Sequence, residues 1–330
     1  MGSLKKIILP RRNEAAKIFK NAKETLKIFH SSLRNLSDCF ANFAVFAVKK
    51  VFSVQLCFWY KGPMPLTPRH SPGANVTATT NGWRMDIPAG EASAFRLAQL
   101  DNYSALPRGR FPSRPPVTLS LRARVSSESH PGTWGFGFWN DPFEFSLGVR
   151  GRPFRLPALP NAAWFFHASK ENWLSFKNTG QESESSTFGN HPEVKLRDSK
   201  FIPGNGFMAQ TFRSPTFDLR LFLTALLFPF SRKAARRQLS RIIREDGVRV
   251  QADPAEWHLY RLEWSPKRVV CEVDNVRVLE TSVSPRPPLG LVLWIDNQFA
   301  AFTPEGKIAA GVLANPEPAW LEIADFHLTV

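Results

Sequence analysis

The sequence predicts an all-β protein built as a jelly-roll sandwich, and three observations carry that expectation. Over 257–279 a run of alternating bulky residues meets the turn Ser265-Pro266-Lys267-Arg268. A second run then meets Asp274-Asn275, and a third begins at once, which is the signature of an antiparallel meander. Short apolar runs recur at 94–100, 117–125, 133–139, 162–168, 172–176 and 206–212, each bounded by turn residues. Finally, 27 prolines and 19 glycines are spread along the 330 residues and supply the many turns such a fold needs. The length suits one large sandwich with extra segments, since all-β domains often run to about 200–250 residues.

Taken in chain order, residues 1–61 form a basic extension, helical or disordered. Within 13–36, Ala16, Phe19, Ala22, Leu26, Phe29 and Leu33 recur at helical spacing with lysines between them. The following stretch, 39–60, is more apolar, but Lys49 and Lys50 fall in its middle, which argues against a membrane-spanning helix. No cleavable signal pattern opens the chain. Twelve basic residues against three acids give 1–61 a net charge of +9, out of +15 for the whole chain. That excess attracts anionic surfaces, a membrane face among them, and carries no recognisable nucleic-acid module.

Residues 62–74 contain Pro63, Pro65, Pro68 and Pro72 and read as a linker, so the sandwich is expected over 75–330. Residues 181–186 are a polar loop. At 219–245 the β pattern breaks: 221–228 is apolar, Pro229 interrupts it, and Ser231 is placed to cap a helix from Arg232 to about Arg244. Lys233, Arg236, Arg237, Arg241 and Arg244 share one face of that helix, and Ala235, Leu239, Ile242 and Ile243 another. Such an insertion either packs its apolar side on the sandwich or lies, over 221–244, in a membrane interface.

Cys39, Cys57 and Cys271 are too few and too irregular for a disulfide framework or a cysteine zinc site. Asn35, Asn75 and Asn102 match the short glycosylation pattern. The aromatic content is uneven, with 28 Phe and 10 Trp against 3 Tyr. Flat indole faces suit the C–H face of a pyranose, and for each tryptophan the alternative is burial in the core.

The string Trp257-His258-x-Tyr260-x-x-Glu263-Trp264-x-Pro266, then a strand, then Val273-Asp274-x-Val276, resembles the late strands of concanavalin A-like jelly rolls, especially glycoside hydrolase family 16 and its laminarinase-like relatives. Residues 287–294 and 320–330 fit the strands that follow. The resemblance covers roughly 75–330 and implies a groove on the concave face of one sheet, with a polysaccharide or glycan as partner. It also implies a strand bearing Glu-x-Asp-x-x-Glu, whose alternate side chains bring nucleophile, supporting carboxylate and general acid into the groove. That spacing does not occur here. Nearest in place are Asp141 and Glu144, which are separated by Pro142 and would face opposite sides of an extended chain.

The expected carbohydrate contacts are Trp134, Trp139, Asn140, Asp141, Trp164, His167, Trp173, Trp294, Asp296 and Asn297. On 133–139, Trp134, Phe136 and Phe138 share one face while Gly135, Gly137 and Trp139 share the other, and the glycine face has room for a ligand. On 162–168, Trp164 and Phe166 oppose Phe165 and His167, the histidine being either a hydroxyl partner or a core residue. Asp296-Asn297-Gln298 follows Trp294 as either a sugar contact or a turn bonded to its own backbone. Asp141, Glu144, Glu263 and Asp296 are the weak candidates for catalysis. No cofactor or metal is called for beyond a structural calcium at Asp296 or Asp141. The favoured reading is a sugar-binding pseudoenzyme, with a glycosidase on β-glucan-type polysaccharide using non-standard carboxylates, and a membrane-surface structural module, as alternatives.

Overall fold

A computed structural model describes residues 65–144, 146–147, 153–177, 204–216 and 219–330. The extension over 1–61, Cys39, Cys57, Asn35 and the polar loop at 181–186 lie outside these. The chain opens with β1 (Thr67–His70), β2 (Asn75–Thr79), β3 (Gly82–Ile87), β4 (Leu97–Asp101), β5 (Val117–Val125) and β6 (Thr133–Trp139). Two short strands, β7 (Ser146–Leu147) and β8 (Phe154–Arg155), lead to β9 (Ala162–Ala168) and β10 (Gly206–Arg213). Helices α1 (Arg220–Leu227) and α2 (Arg232–Ile242) come next, followed by β11 (Arg244–Arg249). The meander is β12 (His258–Trp264), β13 (Val269–Val273) and β14 (Val276–Thr281). The chain then runs through β15 (Gly290–Asp296), β16 (Gln298–Phe302), β17 (Ile308–Val312) and β18 (Ala319–Thr329).

Two seven-stranded antiparallel sheets make the predicted sandwich, one in the order β1-β4-β15-β6-β9-β10-β11 and the other β14-β13-β12-β5-β18-β3-β2. Period-two alternation decides what lies between them. Trp134, Phe136 and Phe138 of β6 and Phe165 of β9 meet Leu119, Leu121, Tyr260, Leu262, Trp264, Leu321 and Ile323 from the facing sheet. The opposite face of that facing sheet is polar, with Arg84 and Arg124 both paired to Glu322 at 2.8 Å.

The sequence reading needs correction at four points. Part of the Pro-rich stretch expected to be a linker is strand β1, which a proline tolerates because the strand lies at the edge of its sheet. Residues 172–176 form no strand, and Trp173 makes only an isolated bridge to Ala301. The capped helix ends at Ile242 rather than near Arg244, which instead opens β11 opposite Arg213. Ser231 does cap it, accepting a hydrogen bond from Ala234 N at 3.2 Å. Arg236 does not belong to a solvated basic face: it is buried and donates to the carbonyls of Phe302 and Ser175 at 2.8 and 2.6 Å. No helix among the described residues is long and apolar enough to cross a membrane.

Candidate functional site

Strand register assigns the outer face of the first sheet. Residues directly opposite in antiparallel strands share a face, so one cross-sheet row reads Gln99, Trp294, Gly135, Phe166, Met208, Arg249. The next reads Asp101, Val292, Gly137, Trp164, Gln210, Gly247. This is the face expected to be open, and it is packed instead. Trp139 stacks on Trp294 with ring centroids 6.0 Å apart and planes 5° from parallel, and Trp164 stacks on Phe166 at 5.0 Å. Tyr103, Phe111, Phe212 and Ile243 close over them as a second hydrophobic cluster, joined by Leu239 of α2 and Phe176.

The glycine face is where the sequence reading fails most clearly. A Cβ on Gly135 would lie 2.9 Å from Trp294 Cη2 and 2.5 Å from Phe165 O, and one on Gly137 would lie 2.6 Å from Trp164 Cβ. Gly135 makes room for the indole of Trp294, and Gly137 for the close approach of β9. Trp294 and Trp164 are accordingly buried. Trp134 points the other way, into the core between the sheets, where His167 stacks on it at 5.6 Å. Trp173 is half-buried, its ring against Gly204.

The polar candidates divide between the two ends of this sheet. At one end, Asp296 accepts from Thr133 Oγ1 at 2.8 Å, Thr133 N at 3.3 Å and Gln298 N at 3.0 Å. Thr133 Oγ1 in turn accepts from Trp294 Nε1 at 2.9 Å. Burial outweighs those donors and pushes the Asp296 carboxyl up to about 7. Asn297 is fully buried, donating to Ala94 O and Leu313 O and accepting from Arg96 N. Asp296 thus bonds locally to Gln298 and across to Thr133, while Asn297 pins the segments at 94–96 and 313 to the end of the sheet.

At the other end, Asp141 and Glu144 do not face apart. Asp141 adopts φ 48°, which turns the chain, and both carboxylates reach Arg155 Nη1 at 2.6 Å. Two oxygens each that far from one nitrogen are no further apart than twice 2.6 Å. Arg155 is fully buried and also donates from Nη2 to the carbonyls of Tyr103, Ser104 and Leu106. Burial first, and then Glu144, push the Asp141 carboxyl up to about 7. Asn140 beside it spends its side chain on Leu159 O and Asn161 N. Glu263 sits on the outer face of the opposite sheet, paired with Arg261 at 2.6 Å, and joins neither group. Asp296 takes three donors on Oδ1 and Asp141 faces a guanidinium, whereas calcium takes about six to eight oxygen ligands.

What the sequence reading missed is an open cleft of about 580 Å³ at the Asp296 end of the sheet, lined by His130, His167, Lys170, Glu171, Asn205 and Arg249 among others. Lys170 and Glu171 are exposed at its rim. His130 is buried behind it, its Nε2 within 2.6 Å of Asp296 O and its Nδ1 without a partner. These residues come from the segments flanking β6, β9, β10 and β11, so no single motif announces them.

Both histidines are held neutral: burial pushes each down to about 4. Unfolded histidine titrates near 6.5, so between about pH 6.5 and 4 the unfolded chain binds more protons and stability falls as the pH falls. Asp296 works in the opposite direction, its raised carboxyl costing stability as the pH rises from about 4 to 7. The two contributions separate by difference. Urea denaturation of wild type minus His167→Gln is expected to give a stability difference that rises with pH between about 4 and 6.5 and is flat above that. A difference independent of pH would show that His167 is not buried neutral.

No protein-family model matches the sequence, and no curated protein matches it. Among solved structures, a legume lectin-like domain from Entamoeba histolytica is similar at 8% identity over 80% of this chain and 89% of that one, with a TM-score of 0.39. The laminarinase catalytic domain from Thermotoga maritima MSB8 is similar at 10% identity over 82% and 93%, TM-score 0.38. LamAcat from Zobellia galactanivorans is similar at 13% identity over 76% and 78%, TM-score 0.37.

Proposed function

We propose that this protein is a carbohydrate-binding β-sandwich that holds its glycan without cleaving it, in the cleft lined by His130, His167, Lys170, Glu171, Asn205 and Arg249. The observation that carries this reading is the lining itself, where hydrogen-bonding side chains of both charges converge on an open hollow of about 580 Å³. Its one carboxylate at the rim is Glu171; the acid behind it, Asp296, is buried and takes three hydrogen bonds on Oδ1. Hydrolysis by the usual two-carboxylate route needs a second acid across the hollow. The resemblance of 257–279 to glycoside hydrolase family 16 sandwiches favours sugar as the ligand class.

A glycan array probed with the full chain, followed by titration of its hits, tests this. Lys170→Ala combined with Glu171→Ala is expected to weaken the hits by about ten-fold or more, the loss of one or two charge-assisted hydrogen bonds. No reducing ends should appear on prolonged incubation. Unchanged affinity in the double variant would remove the cleft from the account.

A glycosidase reading is favoured by one observation: Asp141 and Glu144 converge on a single guanidinium nitrogen, which places two carboxyls side by side. It requires that Asp141→Asn and Glu144→Gln each abolish reducing-sugar release from a β-glucan that the wild type cleaves.

A further inference from the structure

The corner where α1 turns into α2 carries a surface that neither the core nor the cleft uses. Phe228 and Phe230 flank Pro229 there, 38% and 77% exposed. These two exposed aromatics are placed beside a strongly basic helix face. Directly after them, α2 turns its cations outward: Arg232, Lys233, Arg237 and Arg241 are exposed, while Ala235 and Ile242 are buried. The helix cannot roll over to hide those charges, because the buried Arg236 ties it to the carbonyls of Phe302 and Ser175.

The turn between β16 and β17 adds to the same corner. A Cβ on Gly306 would lie 2.6 Å from Lys233 N, so this turn abuts the start of α2. Beyond it, Lys307 is exposed and Ile308 is 45% exposed. Glu305 is the acid in the turn, against Lys307 and the four outward cations of α2.

Exposed apolar side chains followed by exposed cations fit a soft, negatively charged interface: the rings enter the acyl boundary while the cations meet the headgroups. We propose that this corner docks on an anionic membrane surface, inserting Phe228 and Phe230, with Arg232, Lys233 and Arg237 against the headgroups. The contact is interfacial, and it is independent of the glycan reading.

The test is co-sedimentation of the full chain with vesicles of phosphatidylcholine, alone or mixed with phosphatidylserine, at low and high salt. Binding to the mixed vesicles, weakened by salt, is expected. Because residues 1–61 are themselves basic, the deciding variant leaves charge alone: Phe228→Ser with Phe230→Ser should bind about ten-fold more weakly or worse. Phe230 is mostly exposed while Phe228 is partly covered, so melting temperature is measured alongside, and Phe230→Ser alone, expected to weaken binding in the same direction, replaces the double variant if that melts lower. A second readout needs no variant: amide hydrogen exchange over 228–233 should slow when mixed vesicles are added to wild type. Wild type that ignores mixed vesicles, a folded double variant that binds as well as wild type, or exchange over 228–233 that does not change would each overturn the proposal.

Discussion

Arg155→Ala is expected to cost about 3–5 kcal/mol of folding stability, the usual penalty for breaking a fully buried ion pair by removing one partner. The guanidinium has no exposed side-chain surface and serves five acceptors: the carboxylates of Asp141 and Glu144 and the carbonyls of Tyr103, Ser104 and Leu106. It also lies over the rings of Tyr103 and Phe111, at 5.5 and 5.1 Å from their centroids. Alanine would leave two neighbouring carboxyls and three carbonyls without their donor, in a place water enters poorly. Arg155→Lys should recover little, because one ammonium with three protons cannot span the five acceptors. Urea denaturation of both variants measures this. A loss below about 1 kcal/mol would mean the cluster is solvated, as surface pairs are.

Trp294→Ala is expected to cost a similar amount, about 3–5 kcal/mol, through the cavity left behind. Its ring is stacked on Trp139 and lies 5.8 Å from Trp164 and 5.5 Å from Phe166. Its Nε1 also donates to Thr133 Oγ1, the hydroxyl that bonds Asp296. Truncation therefore opens the aromatic cluster and loosens the end of the sheet behind the cleft. Trp294→Phe keeps most of the apolar volume but lacks the donor, so it should fall between wild type and alanine. Thermal or urea unfolding gives the order, and an alanine variant as stable as wild type would mean that the indole is a surface platform.

These two residues also show what one sequence discloses. Alternation along 133–139 and 162–168 gives both strands and both faces correctly, because period two is a local property. What fills a face is not local. A row of glycines looks the same whether the space above it takes a sugar or the neighbouring strand's tryptophan, and only the register of β6 against β15 and β9 decides between them. Asp141 and Glu144 depart from their expected positions for a related reason: on an extended chain they face apart, whereas the turn at Asp141 and an arginine from β8 draw them together. Strand β11 was hidden by its composition, Arg-Glu-Asp-Gly-Val-Arg, since edge strands tolerate charges that a central strand would not. The cleft was invisible for the plainest reason: its lining is gathered from residues 129 to 314.

If the tryptophans of the first sheet are core and the sugar lies in the cleft, the two sites respond differently to substitution. Measuring glycan affinity for Trp294→Phe beside Lys170→Ala/Glu171→Ala, with the array hit and under conditions where both are folded, tests this most directly. Near wild-type affinity is expected for Trp294→Phe, and a loss of about ten-fold or more for the cleft variant. The reverse order, with binding lost when the indole is changed and kept when the cleft is emptied, would contradict that arrangement.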